Sequence, residues 1–256
     1  MNKNIKIQMQ HSRFEKKGKA FLRMLVLCGG LLGTLGSQAL AGELGLGAVI
    51  SDSTVGGKAA GAQVRYFSDE KMGTSDSHGS VALGALSNGR IIGSLEMGVY
   101  GRSSHMSGAM EMGLNITPNS IGPVGLKPGV NFANEGGHTA ILLVLPFFHS
   151  AVLDMKTYYE SAPLGGKVMT EQNVTESMSI AAAIEAGFLA HTQDSPSNQK
   201  GGGSYLSASA SAKKRFEKMF IDLRAVYNQH SYDVKEDANI GDNSEFIGTV
   251  VVGRAF

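Results

Sequence analysis

Downstream of residue 41 the chain carries six histidines, His78, His105, His138, His149, His191 and His230. A histidine base must lie within hydrogen-bond reach of its nucleophile. The one adjacent pair, His149 and Ser150, follows the expected strand 138–147, and on a strand neighbouring side chains point to opposite faces. No two of these histidines stand at i, i+2 on a strand or at helical spacing, so no metal pair is expected. The only cysteine is Cys28, which excludes thiolate chemistry from everything after it. Gly201-Gly202-Gly203 and Gly136-Gly137 lack the lysine and the following helix of a phosphate loop. No catalytic residue, cofactor or metal is assigned, and the chain is not expected to be an enzyme.

What remains is charge at strand spacing. Ile91, Leu95, Met97 and Val99 share one face of a strand, and Ser94 and Glu96 share the other. Met110, Met112, Leu114 and Ile116 oppose Glu111 and Asn115. Ile221, Leu223, Ala225 and Tyr227 oppose Asp222, Arg224, Asn228 and His230. Leu153 and Met155 oppose Asp154 and Lys156. With Arg65 and Glu185, eight charged residues of both signs would gather in the interior of a barrel with polar faces inward. Buried charges must be paired or wet. Mixed signs favour pairing, whereas a selective pore more often shows rings of one sign. Asp154, Lys156, Asp222 and Arg224, with Glu96 and Arg65, are therefore expected to close the lumen to all but small solutes.

The elements that would position these residues are short period-two segments set off by Gly, Asn, Asp, Ser and Pro. Twelve are expected, over 43–51, 58–68, 79–87, 90–102, 107–117, 124–133, 138–147, 150–160, 174–191, 203–213, 217–232 and 245–256, with ten as the alternative count. Asn88-Gly89 suits a tight type I′ hairpin. Ser179 to Phe188 is the one stretch where a helix competes. Mean hydropathy is −0.04, too low for repeated apolar helical spans and suited to alternating strands. This set has one internal conflict. It makes 161–173 a turn on the side of the chain ends, where membrane barrels keep turns short.

The first 41 residues read as a secretory leader. Seven basic residues precede the apolar run Leu25–Leu35, and Ala39-Leu40-Ala41 supplies the small residues of a cleavage site before Gly42. Cleavage removes seven of 23 cations and one of 22 anions, leaving 16 against 21, a net charge of −5 with no basic footprint for nucleic acid. The final segment alternates, with Val250, Val252 and Phe256 on one face. A terminal Phe closing such a strand resembles the assembly signal of bacterial outer-membrane barrels. Arg254 stands where a hydrophobe or Tyr is usual; its guanidinium can snorkel to water.

A narrower resemblance rests on Leu153-Asp154-Met155-Lys156-Thr157-Tyr158-Tyr159-Glu160-Ser161-Ala162-Pro163-Leu164. A strand ending in Tyr-Tyr and Ala-Pro is similar to one in the YfaZ-type family of small outer-membrane proteins, over about 138–188. Ala186-Gly187-Phe188-Leu189 departs from the aromatic-Gly-Tyr-Arg strand expected after it. That resemblance implies a barrel and no activity. The expectation is thus a leader (1–41) and an antiparallel, transmembrane up-and-down β-barrel (42–256) of a Gram-negative outer membrane. Its partners would be outer-membrane lipids, the barrel-assembly machinery and periplasmic chaperones. Its role would be structural or surface-interacting, with a narrow small-solute channel as the alternative and a lipid hydrolase third.

Overall fold

The computed structural model describes residues 42–256 except 55, 73, 104, 146–147, 153–157, 196–199 and 235–242. The leader, with Cys28 and the Ala39–Ala41 cleavage site, lies outside the described residues.

Every described element is a strand: β1 Gly42–Ser53, β2 Gly57–Met72, β3 Ser75–Leu86, β4 Ile91–Gly101, β5 Met106–Ile116, β6 Ser120–Asn134, β7 Gly137–Val144, β8 Phe148–Val152, β9 Tyr158–Thr175, β10 Met178–Ser195, β11 Lys200–Phe216, β12 Met219–Val234 and β13 Asn243–Ala255. Strands pair antiparallel in chain order, β7 beside β9, and β1 pairs with β13 as well as β2, so the sheet closes. Twelve strands form the ring. The short β8 is not a further member. It pairs with β6 (Ser120↔Ala151) and β9 (His149↔Ser161), in the gap that β7 fills further along (Gly129↔Leu142, Leu143↔Gly166). Closure leaves no edge strand to recruit another chain.

The expected count of twelve stands, but its membership needs correction. Residues 161–173, expected to be a turn, are the middle of β9. The expected strand 150–160 contributes its start to β8 and its end to β9. The strand set at 174–191 runs from Met178 to Ser195, after a turn at Glu176-Ser177. Pro163, Gly165-Gly166 and Gln172-Asn173 resemble turn punctuation, yet Leu164 and Val168 are exposed while Gly165, Lys167 and Met169 face inward. Gly165 is needed there because a Cβ would lie 2.2 Å from the Ala186 carbonyl oxygen of β10.

This reassignment removes the conflict over turn lengths. At the end of the barrel holding Gly42 and Phe256, strands are joined by 73–74, 102–105, 135–136, 176–177 and 217–218. At the opposite end they are joined by 54–56, 87–90, 117–119, 153–157, 196–199 and 235–242. The first set is the shorter. The Asn88-Gly89 turn also differs from expectation. Gly89 has φ 78° while Asn88 stays negative, and Gly89 N–H donates to Leu86 O. That is a turn followed by a left-handed glycine, not type I′.

Each of the twelve ring strands exposes large apolar side chains outward, among them Leu46 at 70%, Ile184 at 60% and Phe188 at 72%. Inside, two apolar clusters share the space with charge. Val49, Ala59, Leu86, Ile92 and Ile247 form one. Tyr100, Ala109, Ala140, Leu142 and Met169 form the other.

Candidate functional site: a charged lumen

Alternation along each strand sends one set of residues into the lumen, and closure of the ring brings distant strands within side-chain reach. The structure gathers Arg65 (β2), Glu96 (β4), Asp222 and Arg224 (both β12). Arg224 grips Glu96 in a two-pronged pair, Nη2 to Oε1 at 2.7 Å and Nη1 to Oε2 at 3.1 Å. Going round the ring from β12 to β4 passes β13, β1, β2 and β3, so this pair crosses the lumen nearly along a diameter. Arg65 lies 3.9 Å from both Glu96 and Asp222, and its guanidinium rests 4.9 Å from the Phe67 ring centroid. Planar, two-pronged Arg–carboxylate contacts fix geometry as well as charge.

A second group spans the opposite part of the lumen. Glu111 (β5) accepts from the Tyr100 hydroxyl and from Lys167 Nζ of β9. Glu185 (β10) pairs with Lys127 of β6. Nearer the short-turn end, Glu43 (β1) takes both Lys213 and Arg215 of β11, and Arg215 reaches Asp69 of β2 at 2.9 Å. Lys213 Nζ sits 3.8 Å over the Phe67 ring, a cation–π contact.

Of the eight expected lumen residues, Asp154 and Lys156 lie outside the described residues. The other six face inward, and among the described residues Glu96 engages Arg224. The sequence reading missed Glu43, Asp69, Lys127, Lys167, Lys213 and Arg215. Lys167 lies in 161–173, the segment that reads as a turn, and Arg215 lies between the expected strands 203–213 and 217–232. Lys127 was legible from its alternation with Leu126.

At the long-turn end, Asn119 is 1% exposed although it belongs to a turn. Its Nδ2 donates to Asn243 Oδ1 at 2.5 Å and to Ser244 O at 3.3 Å. Arg90 bonds the Pro118 carbonyl beside it. The β5–β6 turn stands across the ring from β13, so this contact bridges the mouth.

Of the histidines, His78, His138 and His230 lie on strands β3, β7 and β12. His78 and His138 pack against Tyr100, with ring centroids 4.8 and 4.5 Å from it, and against each other at 6.1 Å. His149 and His191 lie in β8 and β10, and His105 lies between β4 and β5. Among the described residues, no group of three or more His, Cys, Asp or Glu is arranged to hold a metal. Val250 and Val252 point outward on β13 and Phe256 follows them, 73% exposed.

No family model and no curated protein matches this chain. Among solved structures, it is similar to one described as "Unveiling the Mechanism Behind the in-meso Crystallization of Membrane Proteins", at 7% identity and a TM-score of 0.39, covering 81% of this chain and 83% of that one. It is also similar to a bacterial polysaccharide outer membrane secretin, at 10% identity and a TM-score of 0.27, covering 85% and 99%. Overlap this loose carries no argument about function.

Proposed function

We propose that this chain is an integral outer-membrane β-barrel protein of a Gram-negative bacterium, exported by cleavage after Ala41. Its role is structural or surface-interacting, and its lumen is closed by ion pairs to all but small solutes. One observation carries the reading: the barrel is inverted, with apolar side chains outward on all twelve ring strands and charged pairs within. In water so large an apolar surface would drive association. In lipid it is the expected lining, and the backbone bonds of a closed ring meet the requirement that every polar main-chain group be paired. The turn lengths agree, since short turns on the side of the chain ends and longer ones opposite are the outer-membrane pattern.

The cross-lumen pairs support closure. The narrow-channel reading is favoured by a different observation, a cavity of about 320 Å³ along the lumen. Two measurements test these readings. A membrane barrel extracted from outer-membrane fractions migrates anomalously on a gel until boiled; a chain found in the soluble fraction with no such shift would overturn the reading. A closed lumen gives no ionic steps in a planar bilayer, whereas large steps would overturn closure.

A further inference from the structure

A connection at the end of a sheet ordinarily runs over the surface in water, yet the tip of the β5–β6 hairpin is buried. Asn119 is 1% and Ser120 2% exposed, and Pro118 is buried with them. An irregularity in the hairpin turns the tip inward. The pairs Gly113↔Gly125 and Ile116↔Ile121 are one residue out of step, the mark of a bulge, which bends the strand that carries it. Beyond the bulge the tip is closed on itself. Thr117 N–H donates to Ser120 O at 2.8 Å, and Ser120 N–H donates to Thr117 Oγ1 at 3.0 Å.

Residues 117–120 carry no charge, so hydrogen bonds alone hold the tip down. Asn119 Nδ2 donates to Asn243 Oδ1 at 2.5 Å and to the Ser244 carbonyl at 3.3 Å. The Thr117 hydroxyl and the Asn119 backbone N–H reach Glu245, which is itself buried. All three partners belong to β13, nearly opposite β5 and β6 in the ring. Thr117 and Ser120 line the lumen cavity, so the tip is its roof at the long-turn end. The Arg224–Glu96 pair lies deeper. Ser209 of β11, which also lines the cavity, is in register with Val226, two residues nearer that mouth than Arg224. This part of the cavity therefore sits between two closures, one of ion pairs and one of neutral bonds.

We propose that the β5–β6 tip is a lid on the long-turn mouth, hinged at the bulge and latched by Asn119 onto Asn243, and that its release opens the cavity above the ion pairs to solvent. The proposal rests on the barrel reading above and adds a gate to it.

The test uses the mature full-length barrel in phospholipid nanodiscs, with a charged methanethiosulfonate reaching both ends and its rate of reaction as the readout. The heat-dependent gel shift certifies folding in each case. The chain's one cysteine, Cys28, is in the expected leader, so Ser209→Cys gives the mature barrel a single thiol. It should react about tenfold faster when combined with Asn119→Ala, the shift expected from losing two neutral hydrogen bonds. It should react faster still with Asn119→Asp, which sets a second carboxylate beside Glu245. Ser179→Cys, on the cavity wall nearer the short-turn end, should keep its rate whichever residue stands at 119. Asn243→Ala removes the same bond from the other side and decides the matter if neither Asn119 variant folds. A Ser209→Cys rate that no latch substitution raises overturns the proposal. So does an equal rise at Ser179→Cys, which would mean a barrel loosened throughout and not a lid released at one mouth. A chain without the gel shift would instead overturn the barrel reading beneath it.

Discussion

Glu96 is the hub of the lumen because three strands converge on it: Arg224 grips both its oxygens, Arg65 stands 3.9 Å away and Ser80 donates to it at 3.4 Å. Removing one partner of a dry buried pair costs about 3–5 kcal/mol. Here the side chains of Glu96 and Arg224 keep 36% and 21% of their exposure, so water softens the loss, and about 2 kcal/mol is expected for Arg224→Ala. Glu96→Ala should cost a similar amount, and the double substitution little more than either alone, because groups in contact do not add. The measurement is the temperature at which the folded gel band disappears. Fully additive losses would dissolve the pair. The sequence could identify Arg65, Glu96, Glu111, Glu185, Asp222 and Arg224 as inward-facing, since alternation settles the face. It could not pair them, because partners lie up to five strands apart round the ring and pairing depends on closure and stagger. Lys127 and Lys167 complete the charge balance for Glu185 and Glu111; the eight residues expected in the lumen hold three cations against five anions.

Among the elements, β9 is where local composition and topology disagree. Its Pro and Gly residues look like a turn, and their cost is offset by long ladders with β7 and β10 on either side. Each tight approach of these strands, such as Gly165 against Ala186, needs the missing Cβ that made the segment look loose. The alternation of Leu164, Gly166, Val168 and Thr170 against Lys167, Met169 and Glu171 was the readable signal, and turn chemistry outweighed it. Twelve strands survived only because one missed strand compensated for one surplus. Val168 provides the check. It is 52% exposed, in register with Ile141 of β7 and Ile184 of β10, both exposed as well, so the row faces out of the barrel, toward lipid on the reading proposed above. Val168→Arg should cost about 2–4 kcal/mol if the row lies near the midplane, read as a lower unfolding temperature in bilayers. In a surface turn the same change would be neutral. The turn at 117–119 adds a second element-scale device, since it places Asn119 across the mouth onto Asn243.

For the whole molecule, closure, inversion and asymmetry of the two ends act together. The ring satisfies the backbone, the apolar residues face outward as the proposed membrane reading requires, and the paired charges let the interior stay polar without one-sign repulsion. The asymmetry gives the proposed membrane reading a direction. In outer-membrane barrels the short turns and the chain ends face the periplasm, so that reading predicts the 217–218 turn on the inner side and the connection between β12 and β13 on the outer. A cysteine at Ala238, between β12 and β13, should therefore react with a membrane-impermeant maleimide on intact cells. One at Glu217, in the turn between β11 and β12 with φ 43°, should react only after the outer membrane is opened. Glu217 takes a positive φ that few residues tolerate, so Lys218→Cys in the same turn serves as the second probe if Glu217→Cys does not fold. The gel shift confirms folding for each variant. Labelling of the 217–218 turn but not Ala238 on intact cells would mean the barrel is inserted the other way. Labelling of both without opening the membrane would mean that it does not span the membrane. With protection on one side only, the same apolar belt that exposes Leu46, Ile184 and Phe188 must be covered by lipid, because no other arrangement separates the two ends of a ring this small.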